Sequence, residues 1–203
     1  MSVLQIEQLR RQLREKFPAA HRAPLPAPAE PSPQAPLEFA PGHLSEIISP
    51  HQSAGASLVI SELLSEKRAL PLALIDGRDT FDPGSYGNAQ CRHLIWLRCS
   101  QTEQALKCAD LLLSDGNLPL ILLDLHLVSE RELRQIPNAL WHRLKIQARD
   151  SGAALVALTP RPLIPTPHRR LTLTGRFSLD HLELKLPSLL FQQEASTQLA
   201  GKA

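Results

Sequence analysis

SEIISPHQSAGASL, residues 45–58, runs from a short apolar segment through small and polar residues into the start of a helix-patterned stretch. A strand feeding a helix through such a loop is the repeating unit of a parallel sheet covered by helices. In an open parallel sheet, ligands lie beyond the carboxyl ends of the strands, so residues 49–56 are the first place to look for chemistry. A loop that cradles phosphate needs glycine where the backbone curls beneath the anion, a lysine against the β and γ phosphates and a hydroxyl for magnesium. Here Ser49 stands for the first glycine, Ala54 for the second, Gly55 for the lysine and Ala56 for the hydroxyl. Amides at the helix start could still attract an anion weakly. The other reading is an ordinary strand-to-helix turn.

Working outward, apolar runs of strand length recur as LPLALID (70–76), HLIWLRC (93–99), LPLILLDL (118–125) and AALVALT (153–159). Longer helical patterns separate them, which predicts an α/β fold with a mostly parallel, twisted sheet flanked by helices. Ser100 and Glu103 read as a capping box opening a helix that turns Ala105, Leu106, Ala109, Leu112 and Leu113 inward and ends near Gly116. Ser129 and Glu132 form a second box, and Pro137 breaks that helix and starts another that buries Leu140, Trp141 and Leu144. The segment TPRPLIPTPH (159–168) is too rich in proline for a helix or a central strand, and RRLTLTG (169–175) reads as a further strand.

The flanks differ in composition. Residues 1–17 place Leu4, Leu9, Leu13 and Phe17 on one stripe of a short basic amphipathic helix. Residues 18–42 are rich in proline and alanine and read as a semi-rigid linker, so the helix is either docked on the domain or offered to a partner. The α/β domain is expected over residues 43–186, with a tail over 187–203. The chain has 203 residues with 43% hydrophobic side chains, enough for one full-sized core. A net charge of +2 does not call for a polyanionic partner, so a nucleic-acid reading needs a local patch. The three cysteines, Cys91, Cys99 and Cys108, lack a CxxC pairing and fit buried thiols of a reducing compartment. Neither a signal peptide nor a membrane span is legible, and the expectation is a cytoplasmic protein.

Other constellations carry little chemistry. Cys91, His93 and Cys99 lack the repeated close pairs of a structural zinc site, so no metal is expected. Asp76, Asp79 and Asp82 follow the second strand and could gather magnesium or shape a turn ending in Asp82-Pro83-Gly84. No GxSxG and no HExxH occurs, so hydrolase chemistry has no candidate.

The order of features resembles the RecA ATPase core over residues 44–176. EIISPHQSAGASL (46–58) resembles its phosphate loop with the key residues replaced, a degenerate Walker A loop. LALIDGRDTFDP (72–83) resembles its second strand and continuation, and QTEQALKCADLLLSDGNLPLILLDL (101–125) resembles the helix and strand leading to the magnesium site. The resemblance implies a RecA-like P-loop NTPase core with strand order 3-2-4-5-1 and residues 169–175 beside the first strand. In that register Arg78 falls where the family has its water-activating glutamate, a role an arginine cannot fill. The γ-phosphate sensor falls at Pro160, and the magnesium-site aspartate is retained as Asp124, which could instead cap a loop or pair with Arg78.

With three positions lost at three strand ends, the resemblance implies no catalysis and no cofactor. HLVSERELRQ (126–135) and PRPLIPTPH (160–168) stand where the family has DNA loops and look like neither. Arg161, His168, Arg169, Arg170 and Arg176 form a basic cluster that could contact phosphates or simply be solvated. Among inactive RecA relatives, LRRQLREKFPAAHRA (9–23), the proline linker and the 75–83 and 111–125 runs resemble the ImuA-type proteins of bacterial damage-response operons, a group related to the SulA division inhibitors. That implies an accessory factor of SOS-induced translesion DNA synthesis. Its partners would be an ImuB-like polymerase subunit, an error-prone replicative-type polymerase and RecA, with weak DNA contact at most. The alternatives are a division inhibitor that binds FtsZ and a residual DNA- or nucleotide-binding RecA paralogue.

Overall fold

A computed structural model describes residues 37–65, 71–177 and 191–193. The strands are β1 (Leu44–Ile48), β2 (Leu72–Asp76), β3 (Leu94–Arg98), β4 (Leu120–Asp124), β5 (Ala154–Thr159), β6 (Arg170–Leu173) and β7 (Phe191–Gln193). The helices are α1 (Ala56–Leu63), α2 (Thr102–Asp115), α3 (Glu130–Arg134) and α4 (Asn138–Ser151). The sheet runs β3-β2-β4-β5-β1-β6-β7. Its first six members are parallel, and β7 closes the edge antiparallel to β6.

Every residue of β1, β2, β4 and β5 is buried, which is why these segments read as near-continuous apolar runs. Alternate side chains serve two cores. Ala73, Ile75, Ile121, Leu123, Leu155 and Ala157 face Ala105, Ala109, Leu113, Trp141 and Leu144 of α2 and α4. Leu72, Leu74, Leu122, Val156, Leu158 and Ile47 face Val59, Ile60 and Leu63 of α1. At about 25 cal/mol per Å2 of apolar surface removed from water, these two layers are the main favourable term in folding.

The expected topology is present, including β6 beside β1. Three local expectations need correction. The Ser100 and Glu103 capping box does not form, because α2 starts one residue later, with Gln101 as an N-cap that makes no side-chain cap bond. Ser100 turns to the Gln104 amide oxygen at 3.4 Å, and Glu103 pairs with Lys107 at 2.9 Å. The domain begins before residue 43, since Leu37 is buried and Phe39 packs beside it in the α1-side core. Residues 191–193, assigned to the tail, pair with β6.

The second box does form: Ser129 caps α3 by accepting from the Glu132 amide. Gly116 and Gly152 end α2 and α4 in the left-handed conformation, at φ 71° and 74°. The helix expected over residues 1–17 with Leu4, Leu9, Leu13 and Phe17, most of the linker and the rest of the tail lie outside the described residues. Among the described residues no helix is long and apolar enough to cross a membrane.

Candidate functional site: the carboxyl ends of the strands

β1 ends at the buried Ser49, whose amide donates to the Thr159 carbonyl at 2.7 Å and whose hydroxyl donates to the His51 carbonyl at 3.3 Å. The chain then makes a short 3-10 turn over Gln52–Ala54 and passes through Gly55 at φ 105° into α1. That left-handed conformation favours glycine. A second reason for glycine is spatial: Cε2 of Phe177 lies 2.9 Å from where a Cβ on Gly55 would stand. The same atom lies 2.6 Å from the Cβ position of Gly175, so the Phe177 ring sits in a notch between two glycines at the entry to α1. Ala54 and Ala56 are buried in the α1-side core. A phenylalanine ring therefore lies against the glycine through which the chain enters α1.

On the other side of this loop, Tyr86 reaches from the β2–β3 connection to the Ser57 carbonyl at 3.4 Å. Its ring stacks on Phe81 at 5.1 Å, and Phe81 meets Trp96 edge-on at 5.3 Å. Burial, with Asp124, Cys91 and Asp82 adding to it, pushes the Tyr86 hydroxyl up to about 12. It stays protonated and donates.

Asp76 at the end of β2 is buried and accepts from the amides of Arg78, Thr80 and Phe81 at 3.3, 3.1 and 2.8 Å, and from the Trp96 indole at 3.4 Å. Asp79 forms a two-pronged pair with Arg98 at 2.6 and 2.8 Å, and Asp82 accepts from the Gly84 amide and the Ser85 hydroxyl. These three acids hold their own turn. Among the described residues no group of His, Cys, Asp and Glu side chains could hold a metal ion.

Arg78 does not pair with Asp124, contrary to the sequence-based option. It donates to Glu132 of α3, and the same carboxylate accepts from the hydroxyls of Thr102 and Ser129. The Ser129 hydroxyl, then the Arg78 charge and the Thr102 hydroxyl, hold the Glu132 carboxyl below the usual range. Asp124 is buried and bonds His126 twice, at the ring nitrogen at 2.5 Å and at the amide at 3.1 Å. It caps the loop after β4 with its own neighbour. Proximity in the strand register, where Asp76 stands beside Asp124, does not bring Arg78 onto it.

Pro160 follows β5, and Thr159 before it donates to Glu46 at 3.1 Å. Glu46, fully buried in β1, also accepts from the amides of Leu163 and Ile164 and from Arg170 at 2.7 Å. Sequence reasoning passed over Glu46, although an acid inside an apolar strand signals a buried cation partner.

Arg170, expected as a nucleic-acid contact, is that partner and is turned inward. The rest of the basic cluster is dispersed. Arg161 pairs with Glu130 at 3.1 Å. His168 and Arg169 precede β6 and lie at the opposite end of the sheet, where the His168 amide donates to the Leu44 carbonyl and Arg169 to the Glu38 carbonyl. Arg176 is exposed beyond β6. Five residues drawn from one stretch of sequence therefore make no single patch, because β6 and the loop before it separate them.

No protein-family model matches the chain, and no curated protein matches it. Among solved structures it is similar to the crystal structure of the RadB recombinase, with a TM-score of 0.50 and 14% identity over 66% of this chain and 75% of that one. The likeness is one of fold, and the chain has a RecA-like α/β core.

Proposed function

We propose that this chain is a non-catalytic RecA-like accessory protein of SOS-induced mutagenic translesion DNA synthesis. It acts through protein contacts with an ImuB-like polymerase subunit, an error-prone replicative-type polymerase and RecA. The observation that supports the non-catalytic part of this reading is the placement of two aromatic side chains against the loop and first turn that follow β1. Phe177 lies over Gly55, and Tyr86 is bonded across the first turn of α1. A RecA-like fold does not by itself imply ATPase chemistry, which has to be argued from the site. Supporting this, Arg78 is committed to Glu132 and Asp124 to His126.

Two experiments test it. Calorimetric titration with magnesium ATP is expected to show no binding tighter than about 1 mM. Saturable binding in the micromolar range would overturn the non-catalytic reading. Affinity capture with the purified polymerase-like subunit and with RecA is expected to retain the chain; retention by neither, together with binding to FtsZ, transfers the assignment to a division inhibitor.

A further inference from the structure

Two of the chain's three cysteines meet between the sheet and α2. Cys99 follows the edge strand β3 and is buried, while Cys108 stands in the second turn of α2 and is half-buried. Both thiols are free, and their sulfurs are in contact at 4.0 Å. A disulfide needs about 2.05 Å, so the sulfurs have ~2 Å to travel, a shift of the size that rotation about a Cα–Cβ bond supplies. The two residues are nine positions apart, and the ring they would close spans the β3–α2 connection.

The two sulfurs differ in setting. Cys99 lies in the α2-side core and donates to the Leu97 carbonyl at 3.9 Å. Burial first, and then the neighbouring Cys108 sulfur, pushes its thiol up to about 12, so it keeps its proton and is a poor first nucleophile. Cys108 is on the open side, packed against that core from its rim, where a small oxidant reaches it first. Cys91 packs against the other core, beside the Pro83 carbonyl at 4.0 Å. A buried cysteine often serves only as a small apolar side chain. Here that role does not account for two sulfurs in contact with one of them at the rim.

We propose that Cys99 and Cys108 form a reversible dithiol–disulfide site, oxidised by hydroperoxides and reopened by small thiols. The Cys108 sulfur attacks one oxygen of hydrogen peroxide and the O–O bond breaks, leaving a sulfenic acid on Cys108 and releasing water. The Cys99 sulfur then attacks the Cys108 sulfur. The S–O bond breaks, the S–S bond forms, and the sulfenic oxygen leaves as a second water with the Cys99 proton. Two thiols thus give up two electrons to one peroxide, and two molecules of a small thiol return them by exchange. The bond fastens the first turns of α2 to the end of β3, close in sequence to Thr102, whose hydroxyl donates to Glu132 of α3.

The test is a thiol map of the full-length chain after a small excess of hydrogen peroxide. The sample is alkylated with iodoacetamide in urea and digested with trypsin, which cuts after Lys107 and so separates the two cysteines. Mass spectrometry is expected to show the two peptides joined through Cys99 and Cys108 while Cys91 is alkylated. Free Cys99 and Cys108 are expected to disappear about tenfold faster than free Cys91. Dithiothreitol before alkylation is expected to restore alkylation of all three. In Cys99→Ser, checked for folding by circular dichroism, Cys108 is expected to stop at the sulfenic acid and be trapped by dimedone. In Cys108→Ser, Cys99 is expected to remain a thiol. Three alkylatable cysteines in the peroxide-treated parent, loss of Cys91 ahead of the pair, or disulfides between chains overturns the site. Dimedone trapping at Cys99 in Cys108→Ser, with none at Cys108 in Cys99→Ser, overturns the order of attack.

Discussion

Gly77 stands where the chain leaves β2 and passes close to β4. Its amide donates to the Asp124 carbonyl at 3.0 Å, and a Cβ there would meet that same oxygen at 2.6 Å. Because the obstacle is backbone, Gly77→Ala is expected to cost about 1–3 kcal/mol, read as a lower midpoint in urea unfolding. Gly55 makes a related point about the loop. Gly55→Lys, which would place a lysine at the entry to α1, must adopt φ 105° and displace the Phe177 ring. It is expected to lower stability and to confer no ATP binding by calorimetry. Glu46 is the residue with the largest expected effect. With no exposure and Arg170, Thr159 and two amides bonded to it, removing one side of the pair leaves a buried charge. Arg170→Met is expected to destabilise by about 3–5 kcal/mol, measured by chemical unfolding.

Among the elements, α3 is short and depends on what surrounds it. It spans Glu130–Arg134, is capped by Ser129, and is tied by Glu132 to Arg78 of the β2–β3 connection and to Thr102 at the start of α2. Ser129→Ala is expected to cost about 1 kcal/mol through the lost cap. Glu132 has its carboxyl pKa lowered in the folded chain, so its contribution is fully present above the unfolded glutamate value of about 4.3. That contribution is lost as pH falls through the lowered folded value. The stability difference between the parent and Glu132→Gln should therefore be largest near neutral pH and shrink toward pH 3, as read by urea unfolding at each pH. An undiminished difference at low pH would show that the carboxylate charge is not what holds α3. The capping contrast between α2 and α3 also belongs here. Ser100 and Ser129 stand three residues before a glutamate alike, yet only Ser129 caps: α2 begins at Thr102, after Gln101, and the Thr102 hydroxyl donates to Glu132.

At the scale of the whole molecule, both described cores are assembled from Leu37 onward, and Leu37 itself is buried. A chain beginning at residue 35 is expected to keep cooperative unfolding, whereas one beginning at residue 43 should lose the Leu37 contact and unfold earlier, as measured by scanning calorimetry. Much of this architecture was legible beforehand. Period-two burial on both faces, apolar runs of strand length and the glycines at 116 and 152 are properties of neighbouring residues, and they specified the β-α alternation and the helix ends. The small residues at 54–56, and Arg78 and Pro160 beyond β2 and β5, were equally visible.

The partners of those residues were not. Arg78 meets Glu132, 54 positions away, and Glu46 meets Thr159, 113 positions away, through the order in which the strands are laid side by side. The ring of Phe177 over Gly55, the inward turn of Arg170 and the split of the basic cluster arise the same way. Local pattern is written in the chemistry of adjacent side chains, so the sequence alone determined the elements and the small-residue loop that joins β1 to α1. Which charge neutralises which, and which ring lies against the glycine at the entry to α1, depend on distances across the sheet, and only the packed tertiary structure decided them.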